Sequence, residues 1–276
     1  MPHPALASYL LRARYGAQAP AITLAASQVL DQLLGHRSVR HFLPDALPAG
    51  TIETLVAAAQ SAPSSSNLQT WSVIAVQSQP SRDRLAELTG NQAHIARAPL
   101  FLAWLADLSR IARVAGRAQR SADGLHYLDT FLMAVIDAAL AAQNAVSAAA
   151  SLGLGTVYAG ALRNRPEEVA ELLGTPDGVF PVFGLAVGWP DPVRPAAVKP
   201  RLPQQAVLHH ERYQTPAAEA QDIAAYDAAM RGFQAGQQMP QQDWSAQALD
   251  RLRDAPALKG RARLVEALHA AGFSLR

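Results

Sequence analysis

The 276-residue chain contains no cysteine, which excludes disulfides, thiolate metal sites and a cysteine nucleophile. Charge is scarce as well. Asp, Glu, Lys and Arg make up 17% of residues, and the basic ones exceed the acidic by only two, 24 against 22. The sequence pI near 9.1 therefore reflects a small excess, and nucleic acid is not expected as a partner, because it wants a basic stripe. Also missing are His-Glu-x-x-His, Gly-x-Ser-x-Gly, a Gly-Lys-Ser phosphate loop and clustered carboxylates. Chemistry carried by side chains alone is not legible here, which points to reactivity supplied by a cofactor. His209-His210 beside Glu211 reads as a surface pair, and no metal site is expected. In the first sixteen residues Arg12 and Arg14 follow the apolar positions, the reverse of a secretory signal. A cytoplasmic location and no membrane partner are the default expectations.

Hydrophobic residues at 50% describe an ordered globular protein long enough to bury a sizeable core. Two dense basic clusters stand out. The first is Gly35-His36-Arg37-Ser38-Val39-Arg40-His41-Phe42; the second is Lys199-Pro200-Arg201-Leu202-Pro203. An extended first segment would put His36, Ser38 and Arg40 on one side, whereas a helix would gather His36, Arg37 and Arg40. Pro200 favours extended geometry at Lys199, so Lys199 and Arg201 share a face. A guanidinium fork beside an ammonium suits a phosphate, and the two clusters read as halves of one anion site; each taken alone is also compatible with a solvated basic face.

Along the chain, residues 1 to about 34 carry a helical apolar pattern (Leu6, Leu10, Leu11, then Ile22, Leu24, Val29, Leu30, Leu33, Leu34), divided at Pro20. Ile52, Leu55, Val56 and Ala59 form the stripe of a helix ending near Pro63. The polar run Ser64-Ser65-Ser66-Asn67-Leu68-Gln69-Thr70 leads to a strand at Val73–Val76; its hydroxyls and amides suit a heteroaromatic edge, or an ordinary loop. Residues 81–98 read as helix and turn, Leu100–Ala106 as a buried strand, and 109–124 as an exposed arginine-bearing excursion. Tyr127–Leu152 is apolar nearly all round, as in a core or dimer helix, though long enough to raise the question of a membrane. Ser151-Leu152-Gly153-Leu154-Gly155 caps that helix, and Thr156–Ala161 follows as strand or loop where a flat ligand could lie on bare backbone. A short helix at Pro166–Leu173 and a buried strand at Phe180–Trp189 deliver the chain to the second basic cluster; beyond residue 206 it is helical and glutamine-rich, and no internal repeat is visible.

Four motifs occur in order: His-Arg-Ser-x-Arg-x-Phe, Pro-Ser-Ser-Ser-Asn-x-Gln-x-Trp, Ser-Leu-Gly-Leu-Gly with Tyr-x-Gly, and Gly-Leu-Ala-Val-Gly-Trp-Pro before Lys-Pro-Arg-Leu-Pro. In this order the chain resembles the FMN-dependent nitroreductases, and the last element with the long tail resembles their oxygen-insensitive, NADPH-preferring nitroreductase and flavin-reductase branch. The resemblance implies an α+β fold, an antiparallel-rich central sheet flanked by helices, in an intertwined homodimer. It implies an FMN-binding core over 29–206 and a helical tail over 207–276; the N-terminal helical extension over 1–28 stands outside the family's usual pattern. It assigns His36, Arg37 and Ser38, with Lys199 and Arg201, to the FMN phosphate and ribityl chain, and Arg40 to the flavin N1 and C2 carbonyl as the catalytic group. Ser64, Ser65, Ser66, Asn67 and Gln92 would line the ring edge, and Tyr158, Ala159, Gly160 and Ala161 would present backbone near N5. The implied activity is ping-pong two-electron transfer from NADPH, with NADH also admitted, through flavin N5 to nitroaromatic or quinone acceptors. A flavin reductase supplying reduced FMN and a flavin-binding protein without turnover are the alternatives. Basic residues for an NADPH 2′-phosphate are not evident around Gln234–Gln242, leaving Arg163, Arg251, Arg253 and Lys259 as substitutes.

Overall fold

A computed structural model describes residues 4–22, 25 and 27–276. Strand β2 (Leu100–Asp107) is buried at all eight positions, as its unbroken apolar run requires of a central strand. It pairs antiparallel with β1 (Trp71–Val76) on one side and with β4 (Val179–Gly188) on the other, and β4 pairs antiparallel with β3 (Gly155–Ala159). The sheet order is β1-β2-β4-β3, and the α+β, antiparallel expectation holds. The ladder between β2 and β4 shifts register at Trp104/Leu105, a bulge that bends the sheet.

One face of the sheet is covered by α3 (Thr51–Gln60) and α7 (Leu128–Ser151). Alanine on the inner side of α7 permits this close stack: Ala141, Ala142, Ala145 and Ala149 are fully buried against Leu55 and Ala59 of α3 and Leu102, Trp104 and Leu185 of the sheet. Each leucine so buried contributes about 1.5–3 kcal/mol. The opposite side of α7 carries an exposed row at four-residue spacing, Leu128, Leu132, Ile136 and Leu140, each at least 40% exposed. Helix α8 (Pro166–Leu173) starts on a proline and stops at a left-handed glycine, Gly174.

The chain divides into two units, residues 38–195 with 258–276, which hold the sheet, and residues 1–37 with 196–257. In the second, α1 (Pro4–Tyr15) and α2 (Gln28–Leu34) join α9 (Glu219–Gly236) and α10 (Trp244–Leu252). Trp244 packs edge-on to Tyr226, ring centroids 5.4 Å apart, while Asp227 accepts from the backbone and hydroxyl of Ser245 to start α10. The last helix, α11 (Leu264–Ala270), belongs to the sheet unit, where Ala267, Leu268 and Phe273 meet Phe131 and Phe180.

Two local expectations need correction. The first helix stops at Tyr15, ahead of Pro20, because Gly16 turns to φ +58°; Ile22 is exposed and non-helical, and Leu24 lies outside the described residues. The excursion at 109–124 opens as a regular helix, α6 (Ser109–Ala118), tied down by Arg110, which donates to the carbonyls of Gln69 and Trp71 and to Ser72 Oγ.

Candidate functional site

Arg14, in the last turn of α1, holds the start of the first basic cluster, at His36, beside the second, at Lys199 and Arg201. Its side chain is 7% exposed. It donates to the carbonyls of Lys199 (2.9 Å), Leu34 (2.7 Å) and His36 (3.3 Å), and its own carbonyl accepts from the Arg201 N–H (2.8 Å). Clusters far apart in sequence are thereby brought together by carbonyls alone. Among the described residues Arg14, His36 and Arg201 form no ion pair with a carboxylate. Burial lowers the His36 pKa, and the charges of Arg14 and Arg201 lower it further. Burial, then Arg201, lowers that of Arg14, against a smaller opposing effect of Tyr15. Lys199 Nζ sits 5.7 Å from the Phe233 ring centroid, the Tyr226 hydroxyl donates to the Pro200 carbonyl, and Arg37 is exposed. Among the described residues the positive charge of Arg14 and Arg201, which adds to burial in lowering the His36 pKa, meets no carboxylate, the condition for holding an anion. Arg14 was read in the sequence only as a flanking charge.

The sheet unit contains the remaining expected residues. Ser38 bridges Thr156 and the Val39 N–H donates to the Thr156 carbonyl (2.9 Å), so the segment is extended beside β3. Gly155 allows this approach: a Cβ there would stand 2.7 Å from Val39 Cβ. Arg40 reaches water, yet surrounding protein desolvates its guanidinium enough to lower its pKa. Its guanidinium makes a long donation to the Ser38 carbonyl, 3.5 Å.

The serine loop is built on Asp137, a residue of α7 that is 1% exposed. Its carboxylate accepts from Ser64 Oγ (2.7 Å), the Ser65 N–H (3.0 Å) and Thr70 Oγ1 (3.2 Å). Ser64 Oγ in turn accepts from the Gln69 N–H (2.8 Å), so that hydroxyl is engaged within the loop. Held this way, Ser66, Asn67 and Gln69 all adopt left-handed backbone, φ 48°, 53° and 52°. Each such non-glycine residue costs of order 1 kcal/mol and persists only where its surroundings over-determine it. The result presents Ser65, Ser66 and Asn67 to solvent. In the sequence Asp137 lies inside the run Tyr127–Leu152, whose apolar character gives no sign of its role.

At the end of β3, Tyr158 is 39% exposed, packs edge-on to Phe183 and donates to Gln143 Oε1 (3.4 Å); burial raises its pKa. Ala159 and Ala161 are buried, so they offer backbone only, and half-buried Gly160 lies between them. Gln92 is half-buried at the start of α5 (Ala93–Arg97) and donates to the Thr89 carbonyl (3.1 Å). Two residues on, His94 has a buried Nε2 with no partner among the described residues. Burial first, then the charges of Arg40 and His41, push its pKa down to about 4, so its imidazole is neutral near pH 7.

Three of the four suggested 2′-phosphate residues have partners within the protein. Arg163 donates to the Val182 carbonyl, Arg251 to the Ala257 carbonyl, and Arg253 pairs with Asp250 and Asp254. Lys259 adopts left-handed backbone at φ 55°. Among the described residues no group of three or more His, Asp or Glu side chains converges.

The Nitroreductase family pattern matches residues 33–189, more than half of the chain. The chain belongs to the nitroreductase family. Residues 199–276 match that family's C-terminal domain. The oxygen-insensitive NADPH nitroreductase of Salmonella typhimurium is 37% identical over 252 residues, covering 91% of this chain and all of the relative. An FMN reductase (NADPH) of Bacillus subtilis is 42% identical over 188 residues, 68% of this chain and 75% of that one. The solved structure of the NfrA1 nitroreductase from B. subtilis superposes with a TM-score of 0.83 at 35% identity, covering 90% of this chain and all of that one. Nitroreductase membership accounts for a basic cradle and a polar loop in a chain without a nucleophile, since the reactive group in such a protein is bound and not built in.

Proposed function

We propose that this nitroreductase-family protein is an FMN-dependent NAD(P)H oxidoreductase that passes two electrons from NADPH to small flat acceptors, nitro compounds, quinones or free flavin. The observation that carries this reading is the cradle around Arg14, where His36 and Arg201 gather without a carboxylate among the described residues, a donor set that fits a phosphate dianion. FMN, when bound, supplies reversible hydride chemistry at its ring N5 that no side chain here offers. His36, Arg37, Lys199 and Arg201 are the residues for its phosphate, with Ser38 for the ribityl chain. Ser65, Ser66 and Asn67 supply polar groups for the ring edge, with Ser64 as their anchor, and Gln92 contributes from its own loop. Tyr158, Ala159, Gly160 and Ala161 offer backbone to the ring. Arg40, without an ion pair among the described residues, provides positive charge for the electron density that gathers during reduction. The relatives' names favour NADPH, and the cytoplasm is the compartment that regenerates it.

The visible spectrum of the purified protein, recorded anaerobically before and after NADPH and then NADH, tests the reading. Flavin bands bleached by a nicotinamide are expected; a colourless protein that fails to retain added FMN overturns it. Arg40→Ala with FMN bound is expected to slow anaerobic reduction by about 2 kcal/mol of lost stabilisation, roughly thirtyfold, as for loss of one preorganised donor. Stopped-flow reduction at the wild-type rate would remove Arg40 from the chemistry.

The exposed row Leu128, Leu132, Ile136 and Leu140 supports a homodimer, with a second copy covering the outer face of α7. The inner face of the same helix is occupied by the core, which favours a partner over a lipid bilayer. Ile136→Glu is expected to shift the protein to monomer by light scattering and to weaken flavin retention. A dimer of unchanged affinity would place the interface elsewhere.

A further inference from the structure

We propose that a cavity at the start of α3 is a binding site for a small organic anion, an aromatic or aliphatic monocarboxylate. The cavity measures about 570 Å3, within the range of ligand pockets. Pro44, Pro48, Pro99, Leu47 and Leu100 give it flat apolar walls, and Arg82 and the first turn of α3 supply its polar lining. None of the residues assigned to the flavin lines it, so the inference stands apart from the flavin reading.

Arg82 is 7% exposed, and its hydrogen-bond partners among the described residues are neutral. It donates to the carbonyls of Gln77 and Pro99 and to Gln79 Oε1, and its buried Nε has no acceptor. Burial lowers its pKa, against a smaller opposing effect of Asp83. A guanidinium withdrawn from water without a counter-ion is destabilising unless an anion joins it.

The second observation is independent. Helix α3 has glycine at its N-cap, Gly50 at φ +81°, and no side-chain cap. The Thr51 N–H donates to Pro48 and that of Thr54 to Gly50; the N–H groups of Ile52 and Glu53 have no acceptor among the described residues. These amides and the helix dipole favour a negative group at the mouth of the cavity. Glu53 lines the same cavity. Its carboxylate penalises a second negative charge on the ligand, which selects a monocarboxylate over a phosphate, and the proline walls suit a flat or aliphatic body.

Amide and Arg Nε NMR signals of the FMN-loaded protein, titrated with benzoate and separately with benzyl alcohol, test this. Benzoate is expected to shift the Ile52, Glu53 and Arg82 signals saturably, and the neutral alcohol to leave them. Arg82→Gln should weaken benzoate by roughly tenfold or more, as for loss of one partner of a buried charge pair. Glu53→Gln, on an exposed residue, should tighten it several-fold. Shifts confined to other residues, equal binding of the alcohol, or an affinity that Glu53→Gln leaves unchanged would each overturn the proposal, the last even if Arg82→Gln does not fold.

Discussion

Asp137→Ala should yield a folded but flavin-free protein, destabilised by about 3 kcal/mol or more. The carboxylate is the shared acceptor of Ser64 Oγ, the Ser65 N–H and Thr70 Oγ1. Removing it leaves those donors facing a cavity, at about 1–3 kcal/mol for each that finds no substitute. The loss does not stop at stability. Ser66, Asn67 and Gln69 hold left-handed backbone that the carboxylate enforces, and without it they relax to ordinary conformations that aim the loop elsewhere. Asp137→Asn keeps the shape and one acceptor, so it should fall between wild type and alanine. Chemical denaturation and FMN titration on both variants check this; an alanine variant that binds FMN with native affinity would show that the loop holds its own shape.

The second large effect is expected at Arg14. Arg14→Ala breaks three donations to carbonyls from two distant stretches, and lysine cannot replace the planar fork that reaches them. The basic groups it assembles should drift apart, weakening FMN at least tenfold, about 1.4 kcal/mol. Riboflavin lacks the phosphate, so its affinity should change little. Fluorescence titration with both ligands separates the outcomes. Equal losses for the two would mean that Arg14 supports the fold at large and not phosphate binding.

Much of the architecture was legible because it rests on local pattern. The buried runs at Leu100–Ala106 and Phe180–Trp189 became β2 and β4, and a proline start with a glycine stop fixed α8. Segment 109–124 is largely exposed as expected, but its opening helix and its anchoring were not legible, because arginines on a surface look the same until the carbonyls of Gln69 and Trp71, with Ser72 Oγ, are seen to hold Arg110. The same blindness hid Asp137 and Arg14. A carboxylate midway along an apolar helix and an arginine near a terminus announce nothing until partners far along the chain converge on them. The cavity proposed for an anion was invisible for a related reason, since Arg82 and the first turn of α3 meet there from stretches about thirty residues apart, and their juxtaposition leaves no motif.

The place of Arg14 in the first helix bears on how the protein is prepared. Residues 1–28 look like a dispensable leader, the natural stretch to trim for expression. A protein shortened there would keep its sheet, pass as folded by circular dichroism and come off the column without colour. Its experimenter would conclude that the chain is no flavoprotein, when the missing piece is the fastener and not the fold.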